Sequence, residues 1–334
     1  MRRVPAPAVR VLRPILDMYM DSAVALSGCH TQGIERHSCE LDVVIVGTES
    51  RPSTSAKIGG VYMDLIFITE SDALKPADPE HSASMARAHP VRDASLVIST
   101  GTSAAAAVIA DSCRRSTRGR LASALKSLGR VDEALSNGSL KEADFWLTAA
   151  SYDYAYALLY SREVVPAPSH LLGQLRGQSK GALKGFQAFS TGAALERSAR
   201  NTCGSRLEGI GVLHDVLRGR QRTRAEESAG WAPARLEIVK AKSQDLAARV
   251  EHAEGYSFLG QEMVDAMLEL ADPGGRDGGR EGGRRSDVGS LFQGKEQLLG
   301  DRLLSELGLV REGPALRASL GAVKEQVSSL ARRV

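Results

Sequence analysis

Three carboxylates stand at positions where a packed fold has little reason to put a charge. Glu40 and Asp42 are separated by one residue in "CELDVVIVG", a Val- and Ile-rich run that reads as a buried strand, and Asp64 interrupts a second such run, "VYMDLIFI". Residues i and i+2 of a strand project from the same face, so Glu40 and Asp42 stand side by side and repel. A divalent cation between them reverses the sign of that interaction, because the ion becomes the largest local charge. Asp64 is costly to bury unpaired, and a neighbouring strand can bring it to the same ion. Upstream, "SGCHTQG" ends one apolar run at Gly28 and reaches Gly33 five residues later, a loop whose backbone N–H groups can face an anion. Strand-borne acids beside an anion-binding loop predict phosphate chemistry, in which two ions about 3.5 to 4 Å apart activate an attacking hydroxyl and stabilise a leaving pyrophosphate.

The elements that must position these groups are short. From Ser22 to about Ser99 the runs "SAVALSG", "LDVVIVG", "GGVYMDLIFI" and "DASLVIS" are bounded by Gly, Ser or Asp and predict strands, preceded by a short helix over Ala8 to Tyr19. Residues 1–100 therefore read as an α+β domain. Residues 101–271 read as a helical domain, with apolar residues at helical spacing such as Leu207, Ile210, Leu213 and Leu217. Within it, Ser139 and Glu142 form a capping-box pattern that predicts a helix running to Val165. The stretch from Ala234 to Asp272 reads as one long helix, or as two meeting near Gly255 or Gly260. The tract "DPGGRDGGREGGRRSD", residues 272–287, has four acids, four arginines and no apolar residue, so it predicts a flexible linker, and residues 288–334 predict C-terminal amphipathic helices.

The order Gly28, Cys29, Gly33, then Glu40-Leu41-Asp42 followed by Val43 to Val46, then Asp64, resembles the nucleotidyltransferase domain of the DNA polymerase beta superfamily. It is most similar to the small prokaryotic nucleotidyltransferases, with their Gly-Ser loop, second Gly and Asp-x-Asp strand. The resemblance covers about residues 22–100 and implies a polymerase-beta-like α+β fold with a mixed sheet, followed by an all-α domain. It further implies that Glu40 and Asp42 bind both metals, and that Asp64 binds the catalytic one and helps activate the acceptor. The loop of Gly28, Cys29 and Gly33 would hold the triphosphate of an NTP, with Mg²⁺ or Mn²⁺ as cofactor. The implied reaction moves a nucleoside monophosphate from the NTP to an acceptor hydroxyl on a small molecule, an RNA end or a protein. Two positions depart from the pattern. Cys29 stands where Ser is usual, which removes a hydroxyl donor, and Glu40 stands where Asp is usual, which adds a methylene to a ligand of an ion that demands near-ideal octahedral geometry. The alternative they raise is a catalytically decayed domain that binds nucleotide or RNA.

Other features predict less. Lys and Arg number 43 against 40 Asp and Glu, so the net charge of +3 points to no polyanionic partner. Two local clusters, Arg114 to Arg120 and Arg218 to Arg224, read as basic connections between helices that can meet RNA phosphates. Cys29, His30, His37 and Cys39 do not match the usual zinc ligand spacings. Trp146 and the tyrosines at 152, 154, 156 and 160 read as core and interface rather than a base-stacking platform. No apolar run approaches the roughly 18 residues of a membrane span, the prolines and arginines near the start interrupt any signal-peptide core, and the four cysteines indicate no disulfide framework, so the expectation is a cytoplasmic protein without a membrane partner. The linker expectation is testable directly. Limited proteolysis of the whole chain should cut first within 272–287, and a first cut elsewhere would move the boundary between the helical segments.

Overall fold

The computed structural model describes residues 6–36, 38–48, 51, 53–178, 182, 186, 199–222, 233–249, 251–271 and 313–334. The linker over 272–287 and the first part of the C-terminal segment, 288–312, lie outside the described residues. The chain divides into two compact units, one holding residues 1–116, 163–167 and 220–245 and the other 117–162, 168–219 and 246–334.

The first unit is α+β. Helix α1 (Ala6–Met18) precedes strand β1 (Ala23–Ser27) and the one-turn helix α2 (Gly28–Gln32), and β2 (Leu41–Gly47), β3 (Thr54–Ile58) and β4 (Val61–Thr69) follow. Helices α3 (Glu70–Leu74) and α4 (Pro79–Met85) lead to β5 (His89–Arg92) and α5 (Val97–Ala107). The five strands form one mixed sheet in the order β3-β4-β2-β1-β5, with β2 and β4 parallel and the other pairs antiparallel. Strand alternation divides the side chains between two cores. Leu41, Val43, Ile45, Met63 and Leu65 pack with Leu12 and Ile15 of α1. On the other face Val44, Val46 and Ile68 pack with Ala73, Met85, Ile98 and Ala105 of the three following helices. The Arg92 guanidinium fixes the end of α1 against β5 by donating to the carbonyls of Leu16, Tyr19 and Ser22.

Three expected strands form where the runs place them, and the fourth does not. "DASLVIS" enters α5, because the Asp93 carboxylate accepts the N–H groups of Ile98 and Ser99 at 3.0 and 2.7 Å and so starts a helix that continues past Gly101. Packing of α5 beside α3 and α4 also carries the first unit beyond the expected limit at residue 100. Two further strands form outside the expected runs. β3 and β4 meet at Gly59 and Gly60, both with positive φ, which is a two-residue hairpin signal, and β5 holds Pro90 at the sheet edge.

The second unit is helical among its described residues. The boundary falls within α6 (Ile109–Ser136), and α7 (Leu140–Tyr160), α8 (Leu171–Gln178) and α9 (Ala199–Arg222) follow. Then come α10 (Pro233–Ala248), whose residues up to Asp245 belong to the first unit, α11 (His252–Ala271) and α12 (Gly313–Ala331). The Ser139 side chain makes no cap bond to α7; Glu142 instead accepts from the Trp146 indole at 3.4 Å, and the helix ends at Tyr160 rather than Val165. Trp146 and the four tyrosines are buried as core. Leu316, Leu320, Val323, Val327 and Leu330 form the buried stripe of α12.

The long stretch from 234 does split, but after Ala248, with the next helix starting at His252, rather than at a glycine. Gly260 lies inside α11 because a Cβ there would stand 2.4 Å from Arg206 Nη1 and 2.5 Å from the Tyr152 hydroxyl. Both neighbours are tethered, Arg206 to the Tyr256 carbonyl at 2.6 Å and Tyr152 to the Ser257 carbonyl at 2.8 Å. Gly204 on α9 faces open space. Alanine is favoured over glycine by about 1 kcal/mol in a helix, whereas overpacking costs about 1–3 kcal/mol. Gly260→Ala should therefore lower Tm and Gly204→Ala should raise it; a thermal melt of both in which Gly260→Ala gains stability would contradict this packing.

Candidate active site

The acids meet because of register. Asp42 of β2 pairs directly with Asp64 of β4, Ser27 of β1 lies opposite Asp42, and Ser55 of β3 lies opposite Asp64, so one row across four strands is polar. Asp42 and Asp64 share the alternation of Val44, Ile66 and Ile68, which puts them on the sheet face covered by α3 to α5, past the end of that apolar core. Glu40 immediately precedes β2 rather than lying in it. Oxygens of Glu40, Asp42 and Asp64 lie within 4.8 Å of one another. Two oxygens on one octahedral Mg²⁺ are at most about 4.2 Å apart, so a slight closure suits one ion, and an all-carboxylate donor set suits a hard cation.

The glycine-bounded segment is a single helical turn rather than an open loop. Gly33 closes it with φ +70° and gives its N–H to the Cys29 carbonyl. Gly28, also at φ +70°, is held to glycine by Asp42: a Cβ on Gly28 would stand 1.7 Å from Asp42 Oδ2. The backbone at Gly28 thus touches the acid row directly. The Cys29 thiol is engaged with Cys39, and that hydrogen bond together with burial pushes it up, so it stays protonated. Any phosphate contact at this turn falls to backbone N–H groups. His37 lies outside the described residues.

Reading the acids alone misses their counter-ions. Helix α10 lays one face against the acid row, with Arg235, Ile238, Val239, Lys242 and Asp245 at helical spacing. Lys242 Nζ donates to Glu40 Oε1 at 2.7 Å and lies 2.5 Å from Oε2, with both residues buried. Arg235 Nη1 is 3.2 Å from Asp64 Oδ2, and the Ser55 hydroxyl donates to Asp64 Oδ1 at 2.5 Å. Asp245 accepts from Ser38 at 2.9 Å, and Glu237 from Tyr62 at 3.2 Å. A lysine within an apolar helical stripe was the available signal.

These partners split the acids electrostatically. Burial alone would raise the Glu40 carboxyl, but Lys242 and Arg235 hold it below its ordinary value. Burial works against the Lys242 ammonium, and Glu40 more than offsets that, raising it. Asp42 is pushed well above the usual carboxylate range by burial, then by Glu40 and Asp64. Burial also raises Asp64, against the opposing pull of Arg235. The result is two ion pairs flanking an acid whose charged form is disfavoured by burial and by its two neighbours.

The basic cluster at 114–120 lies inside α6, not between helices. Arg114 and Arg115 flank Asp111 at 3.8 and 3.0 Å, Arg118 reaches the Val334 carbonyl, and Arg120 pairs with Asp153 at 3.0 Å over the Tyr156 ring. Of the second cluster, residues 218–222 close α9, and 223 and 224 lie outside the described residues. Among the described residues no helix is long and apolar enough to cross a membrane. Neither models of known protein families nor curated proteins gave a match to the chain.

Raising the pKa of Asp42 on folding ties stability to pH. The folded state holds the proton more tightly than the unfolded chain, so this contribution is complete below about pH 3.9 and is lost as pH rises towards the folded pKa. Asp42→Asn removes that loss. In metal-free buffer the variant should match the wild type in Tm near pH 4 and exceed it by a margin that grows towards pH 8, at about 2–4 °C per kcal/mol. A margin that shrinks with rising pH would show that Asp42 is stabilised as an anion.

Proposed function

We propose that the chain is a divalent-metal-dependent nucleotidyltransferase with a polymerase-beta-like sheet domain, which moves a nucleoside monophosphate from an NTP to an acceptor hydroxyl. The observation that carries this reading is the registered pair Asp42 and Asp64 on parallel strands, with Glu40 within one ion's reach and the Gly28 backbone against Asp42. Glu40, Asp42 and Asp64 would hold Mg²⁺ or Mn²⁺, which when bound supplies charge stabilisation at the α-phosphate and the leaving pyrophosphate. Gly28, Cys29 and Gly33 bring backbone N–H groups of the turn to the triphosphate. Asp64, oriented through Ser55, faces the acceptor and helps take its proton as the new O–P bond forms and the bond to pyrophosphate breaks. The acceptor is a hydroxyl of a small molecule, an RNA end or a protein.

One observation favours a second reading. The ion pairs of Glu40 with Lys242 and Asp64 with Arg235 neutralise two of the three acids without a metal, as a nucleotide- or RNA-binding domain that has lost catalysis would require. Incubation with each α-labelled NTP and Mg²⁺ or Mn²⁺, alongside total RNA, a small-molecule extract and a whole-cell protein extract, separates the two. The enzyme transfers label and releases pyrophosphate, and Asp42→Asn and Asp64→Asn each reduce this at least about a hundredfold, more than loss of a metal's outer-shell partner. NTP binding without turnover, or full turnover in folded Asp42→Asn, overturns the catalytic reading.

A further inference from the structure

Lys242 is the least expected group at the site. A lysine is almost never fully buried without a partner, and here the ammonium is held between both oxygens of one carboxylate. Glu40 therefore has neither oxygen clear of a cation. Arg235 pairs with Asp64 at Oδ2, while Oδ1 accepts from Ser55, and the pair is partly open to solvent. Asp42 turns an oxygen to the Gly28 backbone and sits between the other two acids. The three carboxylates are thus unequal: one is ion-paired with a buried point charge that hydrogen-bonds a single one of its oxygens, and two lie side by side in register.

We infer that Lys242 permanently takes the place of one of the two divalent cations expected from the sequence, which withdraws Glu40 from the ligand set given above, so that the site binds a single metal ion, between Asp42 and Asp64. The inference rests on the metal-dependent reading above. A lysine suits such a role because its ammonium is a compact, spherical charge, unlike the planar guanidinium of Arg235. The substitution also gives the extra methylene of Glu40 a physical use. Mg²⁺ demands close, near-octahedral ligands, whereas the ammonium donates to or pairs with the Glu40 oxygens at 2.7 and 2.5 Å with looser angles, and the longer side chain reaches it. Further ties along α10, Asp245 to Ser38 and Glu237 to Tyr62, hold Lys242 in register with Glu40.

The test counts metal ions. Mn²⁺ is titrated into the full chain, alone and with a non-hydrolysable NTP analogue, and free Mn²⁺ is read by electron paramagnetic resonance. The wild type should bind one Mn²⁺ per chain under both conditions, and Asp42→Asn should weaken that site at least tenfold. Lys242→Met, checked for folding by circular dichroism, should bind a second Mn²⁺ as the ion replaces the lost ammonium. Two ions in the wild type overturn the inference while leaving the metal-dependent reading intact. No Mn²⁺ on the wild type, with or without nucleotide, overturns the metal-dependent reading itself. The wild-type count decides even where Lys242→Met does not fold, and one ion in a folded Lys242→Met also counts against the substitution of metal by lysine.

Discussion

The first unit is organised around the cost of placing three carboxylates at the end of one sheet. Register makes that placement unavoidable: once β2 and β4 pair in parallel with their apolar residues inward, Asp42 and Asp64 become neighbours on the same face. Isolated charges in such surroundings are expensive, and every feature of the site lowers the expense. Lys242 and Arg235 neutralise two acids, Ser55 donates to one of them, and Asp42 keeps its proton more readily than a solvated acid. Gly28 leaves room for the Asp42 side chain that no other residue type would allow.

Much of this was legible in the chain, for identifiable reasons. Val- and Ile-rich runs bounded by small residues marked β1, β2 and β4, since period and composition there agree. The acids were visible because a charge inside such a run breaks the pattern. β3 and β5 were harder: Thr54–Ile58 mixes Thr, Ser and Lys with Ala56 and Ile58 and buries none of them fully, and His89–Arg92 is a short edge strand. The run at 93–99 has strand-like composition, yet a cap from Asp93 fixes its hydrogen bonds locally and a helix results. Short apolar runs carry no period that separates the two outcomes.

The counter-ions are harder to read for a different reason: a lysine in an apolar helical stripe marks the position but not its partner. Nothing local in "RLEIVKAKSQD" distinguishes a lysine that snorkels to water from one that reaches a carboxylate about two hundred residues away in the chain. The glycines show the same limit in reverse. Gly260 reads as a break in a helix, but its lack of a side chain serves the close approach of Arg206 and Tyr152 and leaves α11 continuous. In both cases tertiary neighbours, rather than propensity, decide what the residue is for.

The separation of 202 residues between Glu40 and Lys242 has a temporal side. A ribosome adds about 5–20 residues per second, so the strands bearing the acids emerge on the order of 10 to 40 s before the helix that neutralises them. Throughout that interval the sheet either carries its acids protonated, borrows metal ions from the surroundings, or stays loosely packed at that end. Synthesis order alone thus makes the acid end of the sheet the last part of the first unit able to consolidate.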